Sequence, residues 1–383
     1  MPCVGFRPQI LMIGLLGLAL LLNMMGEANG SDWYPTTPTT NDGDKWRIGY
    51  YEGGPYINYP ANLKAIVKGL LNLGWIDKTM ALNPTDAGDS RAVWKALSKA
   101  KSNYLTFDPQ SYYTANWDSK LREQNRSTLI KKLQNKQVDF IIAMGTWAGQ
   151  DLANNHHSVP VMVVSASDPV KSGIVKSASY SGFNHVHARC DPFRYIRQIR
   201  LFHDIIGFKR LGIVYENSKE GRIYAAIDDI RLVADQRGFD LVTCEAPWSG
   251  TPKHVSFQRL KQCHRQLADR IDALYLTVHQ GVDLETIDDS LAPLIHHKIP
   301  IWSQRGPQEV RHGVLLSISR GGFQPIGMYH AKMMAKILNG ASPGELNQIF
   351  EDPKKIAINL KTAKEIGFVP PKGLMKVADE IYE

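Results

Sequence analysis

Beyond residue 30 the chain has no apolar run approaching the ~20 residues of a membrane-spanning helix, which argues against a helical membrane protein of several spans. No G-x-G-x-x-G follows its first predicted strand, and that counts against a dinucleotide-dependent enzyme. The G-x-S-x-G and H-E-x-x-H signatures of hydrolases and zinc proteases are missing as well, and no nucleophile–base set stands in their place. Cysteine is scarce, with four in 383 residues, so a disulfide-built scaffold is excluded. Nor is there a short-period repeat or a low-complexity tract from residue 46 onward.

What is present begins with Arg7 and the apolar run Ile10–Met25, which leads into Ala28-Asn29-Gly30. This reads as a signal peptide, residues 1–30, cut near Gly30, with a retained membrane anchor as the alternative. Residues 31–45, rich in proline and threonine, read as a flexible tether. Three cysteines remain after such a cut. An extracytoplasmic setting permits a disulfide between Cys244, ending a predicted strand, and Cys263 in the next helix, with Cys190 free. The net charge of +8 is scattered, and export counts against nucleic acid as a partner. One cluster stands out, Arg194, Arg197 and Arg200 in FRYIRQIRLFH, and it reads as a solvated helix face, with a docking surface for an anionic partner or lipid headgroups as the alternative.

From Trp46 the pattern alternates. WRIGYY, the segment 104–107, VDFIIAM and VPVMVV read as strands separated by helices, including Pro60–Leu73 with Leu63, Ile66, Val67 and Leu70 at helical spacing. A second series begins with a helix opened by Asp191-Pro192 and closed at Gly207, followed by the strands RLGIVY, FDLVTC, IDALYLTV and IPIW. Strands alternating with helices imply α/β architecture, here two doubly wound parallel sheets in tandem.

Open parallel sheets bind ligands beyond the carboxyl ends of their strands. In the first half those ends carry Tyr51-Glu52, Gly145-Thr146-Trp147 and Ser165-Ala166-Ser167-Asp168. The second half offers Asn217, His279-Gln280 and Ser303-Gln304. A small-molecule site between the halves follows. His185, His187 and Cys190 are all metal-capable, but no second cluster completes a tetrahedral set, so no metal and no cofactor is expected.

The order of these motifs resembles the type I substrate-binding proteins of ABC transporters, the subgroup with tryptophan- and tyrosine-binding members. The likeness is carried by the Gly-Thr strand end, SASDPV followed by GIV, RLGIVYENS, KIPIWS, GMYHAKMMAKILNG and the C-terminal NLKTAKEIGFVPPKGLMKVADEIYE. It implies the type I periplasmic binding protein fold, two doubly wound parallel-sheet lobes joined by a three-crossing hinge. Lobe 1 would be 46–168 and 320–348, and lobe 2 would be 169–319 and 349–383. It also implies an exported, non-catalytic monomer that closes on an amino acid or another aromatic or apolar carboxylate and presents it to an ABC permease in the membrane. A sensor feeding a chemoreceptor or histidine kinase is the alternative. In that frame the backbone N–H groups at Gly145–Ala148 and the Thr146 hydroxyl suit a carboxylate, and Ser165, Ser167 and Asp168 suit an ammonium or hydroxyl. Asn217, Gln280 and Gln304 would join from lobe 2. The chain departs from the family in its aromatic first loop, YYEGGPYINYP, in Trp147 and in His279-Gln280; Tyr51, Tyr56 and Trp147 either stack on a flat ligand or pack the rim.

Overall fold

The computed structural model describes residues 33–78, 89–352 and 355–383, so the predicted signal peptide lies outside the described residues. Among the described residues twelve strands form two sheets. The first contains β1 (Trp46–Glu52), β2 (Leu105–Thr114), β3 (Phe140–Met144), β4 (Val161–Val164) and β5 (Val186–Ala188), in the order β2-β1-β3-β4-β5 with every pairing parallel. The second contains β6 (Arg210–Tyr215), β7 (Asp240–Glu245), β8 (Ala273–Leu276), β9 (Ile301–Ser303), β10 (Leu316–Ile318), β11 (Ile356–Asn359) and β12 (Ala378–Tyr382), in the order β12-β11-β10-β9-β8-β6-β7.

Burial explains the near-continuous apolar strands. All five residues of β3 and all four of β4 are buried, because helices cover both faces of a parallel sheet. The helix Tyr59–Asn72 begins with Pro60 in its first turn and buries Leu63, Ile66, Val67 and Leu70, as the spacing predicts. Its partner is Gln324–Leu338, a helix from far along the chain. The two lie so close that a Cβ at Gly69 would sit 2.5 Å from the Ala331 Cβ, and one at Gly327 would sit 2.4 Å from Ala65. Only glycine admits that approach. The segment 324–338 therefore belongs to the first lobe although β10 before it and β11 after it belong to the second, which gives three crossings in all. Since β10 runs toward the hinge and β11 returns from it, these two strands pair antiparallel, the exception in an otherwise parallel arrangement.

Three boundaries differ from the sequence reading. β5 pairs with β4 inside the first sheet, so the first crossing falls at 189–193 and not at Asp168-Pro169. The reason it escapes pattern reading is its length, three residues after a long irregular loop. Residues 33–45 are no loose tether but lie docked on lobe 1. The Trp75 indole donates to the Thr36 carbonyl and the Trp46 indole to the Thr39 carbonyl, both at 2.9 Å, while the Asn339 amide donates to the Thr37 carbonyl at 3.0 Å. A proline-rich stretch offers carbonyls with few N–H groups of its own, and these side chains satisfy them. Finally, the helix Arg194–Ile206 does end at Gly207 in a left-handed cap, but Phe193 and not Asp191 precedes it. The Asp191 carboxylate is taken by Arg197 at 2.7 Å and Arg189 at 3.3 Å.

Candidate functional site

Between the lobes lies a cavity of about 400 Å³, within the range of small-molecule pockets. From lobe 1 it is lined by Tyr56, Tyr59, Trp117, Thr146, Trp147, Ser165 and Ser167, and from lobe 2 by Arg194, Tyr195, Tyr224, Trp248, His279, Gln280, Gln304 and Arg305, among others. Several of the strand-end residues thus line this cavity, and the lobes already touch around it. The Tyr195 hydroxyl donates to the Ser167 carbonyl at 3.0 Å, the Asn58 amide to the Arg305 carbonyl at 3.2 Å, and Lys171 pairs with Asp229 at 3.0 Å.

Two aromatic walls face each other. In lobe 1, Trp117 meets Trp147 edge-on with ring centroids 5.4 Å apart, and the Arg122 guanidinium lies 4.5 Å from the centre of the Trp147 ring while pairing with Asp151 at 2.8 Å. Trp147 is therefore a braced surface. In lobe 2, Tyr224, Trp248 and His279 follow one another at centroid distances of 6.1 and 6.3 Å. Gln304 fixes this wall by donating to the Tyr224 carbonyl and accepting from the Val278 N–H, both at 2.8 Å.

His279 sits between the Ala246 carbonyl at 2.8 Å from Nε2 and the Gly281 N–H, which donates to Nδ1 at 3.0 Å. One nitrogen must carry the proton and the other must accept, so the ring is neutral. Burial, the largest influence, pushes it down to about 4. Its polar atoms are committed to backbone, and what it shows the cavity is ring surface. The Thr146 Oγ1 accepts from the Ser167 N–H at 3.3 Å, leaving its own proton to donate.

Other predicted site residues lie off the cavity wall. Tyr51 is fully buried on the opposite face of β1, its hydroxyl donating to Asp151 at 2.8 Å. Glu52 is buried and accepts from the hydroxyls of Tyr50 at 2.6 Å and Tyr112 at 2.8 Å, so it closes the end of the sheet; burial raises its carboxyl above the ordinary range. Gly145 has φ 89° for a reason internal to the protein, since a Cβ there would fall 1.8 Å from the Tyr59 hydroxyl oxygen. Asp168 accepts from the N–H groups of Val170 and Lys171 at 3.0 and 2.9 Å and borders a second cavity that shares Ser167, Arg194 and Tyr195 with the first. Asn217 is exposed, its amide on Glu245 at 2.9 Å. Ser303 is buried, donating to Glu309 and accepting from the Gly306 N–H at 2.9 Å.

The residues that pattern reading missed are instructive. Trp117 lies three residues past the end of β2 and Trp248 three past β7, so the same strand-end logic reaches both. Arg194 has no such signal. Its spacing with Arg197 and Arg200 suggested a solvated face, yet Arg194 and Arg197 turn inward to Asp352 and Asp191, and of the three only Arg200, bonded to Gln236 at 2.6 Å, is exposed. Cys244 and Cys263 form a disulfide joining β7 to the helix Lys253–Ala268, and Cys190 is free and buried. Among the described residues no group of three histidine, cysteine, aspartate or glutamate side chains is placed to hold a metal ion.

Residues 110–382 match the model of a family described as ABC transporter substrate binding protein. The chain is 24% identical over 305 residues, 76% of its length and 83% of the relative's, to the tyrosine-binding protein of Clostridioides difficile. Two solved structures share the fold. An ABC domain from Streptococcus pneumonia in complex with L-Trp superimposes with a TM-score of 0.65 at 19% identity, over 88% of this chain and 100% of that one. A ligand-free, open substrate binding protein with adhesive properties from Clostridium difficile gives 0.62 at 20% identity, over 88% and 99%.

Proposed function

We propose that this chain, which belongs to the ABC transporter substrate-binding protein family, captures a small organic ligand between its lobes and delivers it to the permease of an ABC importer. The ligand is an amino acid or another aromatic or apolar carboxylate. The observation that carries this reading is the interlobe cavity with an aromatic wall contributed by each lobe, so that a flat ligand contacts both at once. A ligand that touches both lobes stabilises the closed form over any open one by the contacts that only closure completes. Binding and hinge bending are then one equilibrium, and a permease can distinguish loaded from empty protein by shape.

The protein works outside the cytoplasm as a monomer, exported by residues 1–30. No described helix is long and apolar enough to cross a membrane. A non-catalytic role is supported by His279, the lining imidazole, whose nitrogens are both occupied by backbone groups. Solution scattering with and without ligand tests the mechanism: ligand should reduce the radius of gyration, and an identical profile at saturation would refute closure as the response.

A further inference from the structure

The hinge holds more positive charge than it neutralises. Arg189 and Arg194 share Asp352 at 2.9 and 3.5 Å, Arg197 and Arg189 share Asp191 at 2.7 and 3.3 Å, and Arg197 adds a loose contact of 3.5 Å with the half-exposed Glu351. Arg320, at the second crossing, has no hydrogen-bond or ion-pair partner for its guanidinium among the described residues; its company is the Phe323 ring, 5.2 Å away. Desolvation and then the neighbouring Arg194 pull Arg320 down to about 10, while Arg189, Arg320 and Arg194 together hold Asp352 well below the usual carboxylate range against the cost of its burial.

This surplus reaches the cavity through Arg194, which lines it. Its Nε is buried without a hydrogen bond, and its ion-pair contact is the long one to Asp352. The other cations in the wall are occupied. Arg305 is held by Glu309 at 2.5 Å and by the Val282 carbonyl at 2.7 Å, and Lys253 pairs with Asp283. Asp283 is the only carboxylate among the described lining residues, and that lysine already holds it. Across from Arg194, the Tyr195–Ser167 hydrogen bond brings the end of β4 close, where the hydroxyls of Ser165 and Ser167 have no protein partner among the described residues.

We infer that the ligand of this cavity is an anion, an aromatic or apolar carboxylate without an ammonium group, its carboxylate against Arg194 and the Ser165 and Ser167 hydroxyls and its apolar body between the aromatic walls. The inference rests on the proposed binding role of this site. An ammonium brought here loses its hydration and meets no free carboxylate among the described lining residues. A carboxylate supplies the counter-charge the hinge lacks, and the charge of Arg320, which Arg194 already opposes, adds to its hold.

Isothermal titration of the full chain with skeletons matched in all but charge tests this. One set is 3-phenylpropanoate, phenylalanine and 2-phenylethylamine; the other is indole-3-propanoate, tryptophan and tryptamine. In at least one set the propanoate should bind tenfold or more tighter than the amino acid, and neither amine should bind. An amino acid binding as tightly as its propanoate, or tighter, overturns the inference and leaves the binding role standing. Silence from all six overturns the inference, and sugars and nucleosides titrated alongside then decide whether the binding role falls with it. Arg320→Gln should weaken the propanoate about fivefold while leaving the melting temperature of the unliganded protein equal or higher, because a partly buried cation without an ion-pair partner opposes folding. Unchanged affinity in that variant would remove Arg320 from the account.

Discussion

Lys171, in the loop after β4, and Asp229, in the helix Ile227–Arg237 beyond β6, form an ion pair of 3.0 Å between the two lobes. The pair closes one side of the cleft that the aromatic cavity occupies, so it exists only while the lobes are together. Both side chains are partly exposed, and such pairs contribute about 0–1 kcal/mol. Lys171→Ala should therefore shift the unliganded protein toward an opened form and weaken ligand binding about two- to fivefold, with the cavity wall untouched. Calorimetry together with the radius of gyration checks this; a fivefold gain in affinity would show that the pair hinders closure.

Trp147 offers the larger effect. Truncating a braced aromatic in a binding cavity costs roughly 1–3 kcal/mol. Trp147→Ala should accordingly lose about tenfold or more in affinity, and because Arg122 retains Asp151 the unliganded fold should lose little. Thermal melting without ligand, measured beside titration with it, separates the two. A collapse in melting temperature without loss of affinity per folded molecule would make Trp147 a structural residue.

Acid sensitivity follows from the buried imidazoles. Burial pushes His157, His187, His264 and His279 down to about 4 from the ordinary 6.5. Between those values the unfolded chain binds protons that the folded protein refuses, so stability is full above about pH 6.5 and is lost as pH falls toward 4. At pH 5 each such group costs up to about 2 kcal/mol relative to neutral pH. The urea midpoint should drop clearly between pH 7.5 and pH 5. An unchanged midpoint would mean that these rings reach water or a partner in the folded protein.

The Cys244–Cys263 bond closes a loop across a sequence separation of 19 residues. A loop of that size restricts the unfolded chain by about 3 kcal/mol. Reduction should lower the melting temperature measurably, and non-reducing peptide mapping should recover one linked pair with Cys190 alkylated only after unfolding. Two alkylatable thiols at 244 and 263 in native, non-reduced protein would reject the bond.

Much of the architecture is legible along the chain because its signals are local. The apolar runs VDFIIAM and VPVMVV can be little other than buried parallel strands, and Pro60 with Leu63, Ile66, Val67 and Leu70 writes one helix from its start to its buried face. Strands β5, β10, β11 and β12 escape, because each is a short segment of three to five residues that is defined by its neighbour in the sheet.

The candidate site divides along the same line. Sequence alone pointed to the carboxyl ends of the strands, and Thr146, Trp147, Ser165, Ser167, His279, Gln280 and Gln304 from those ends do line the cavity. It did so because β–α succession fixes which end of a sheet is open. Only the tertiary structure decided which strand-end side chains face that opening and which arginines are weakly paired or unpaired. Tyr51 points away because side chains alternate along a strand, while Glu52 is absorbed by two tyrosine hydroxyls and Asp168 by a turn. The charge left over at Arg194 and Arg320 arises where three hinge crossings, distant along the chain, meet. Direction along a strand is a local property, whereas the partner of a charge is set by whatever the fold brings beside it.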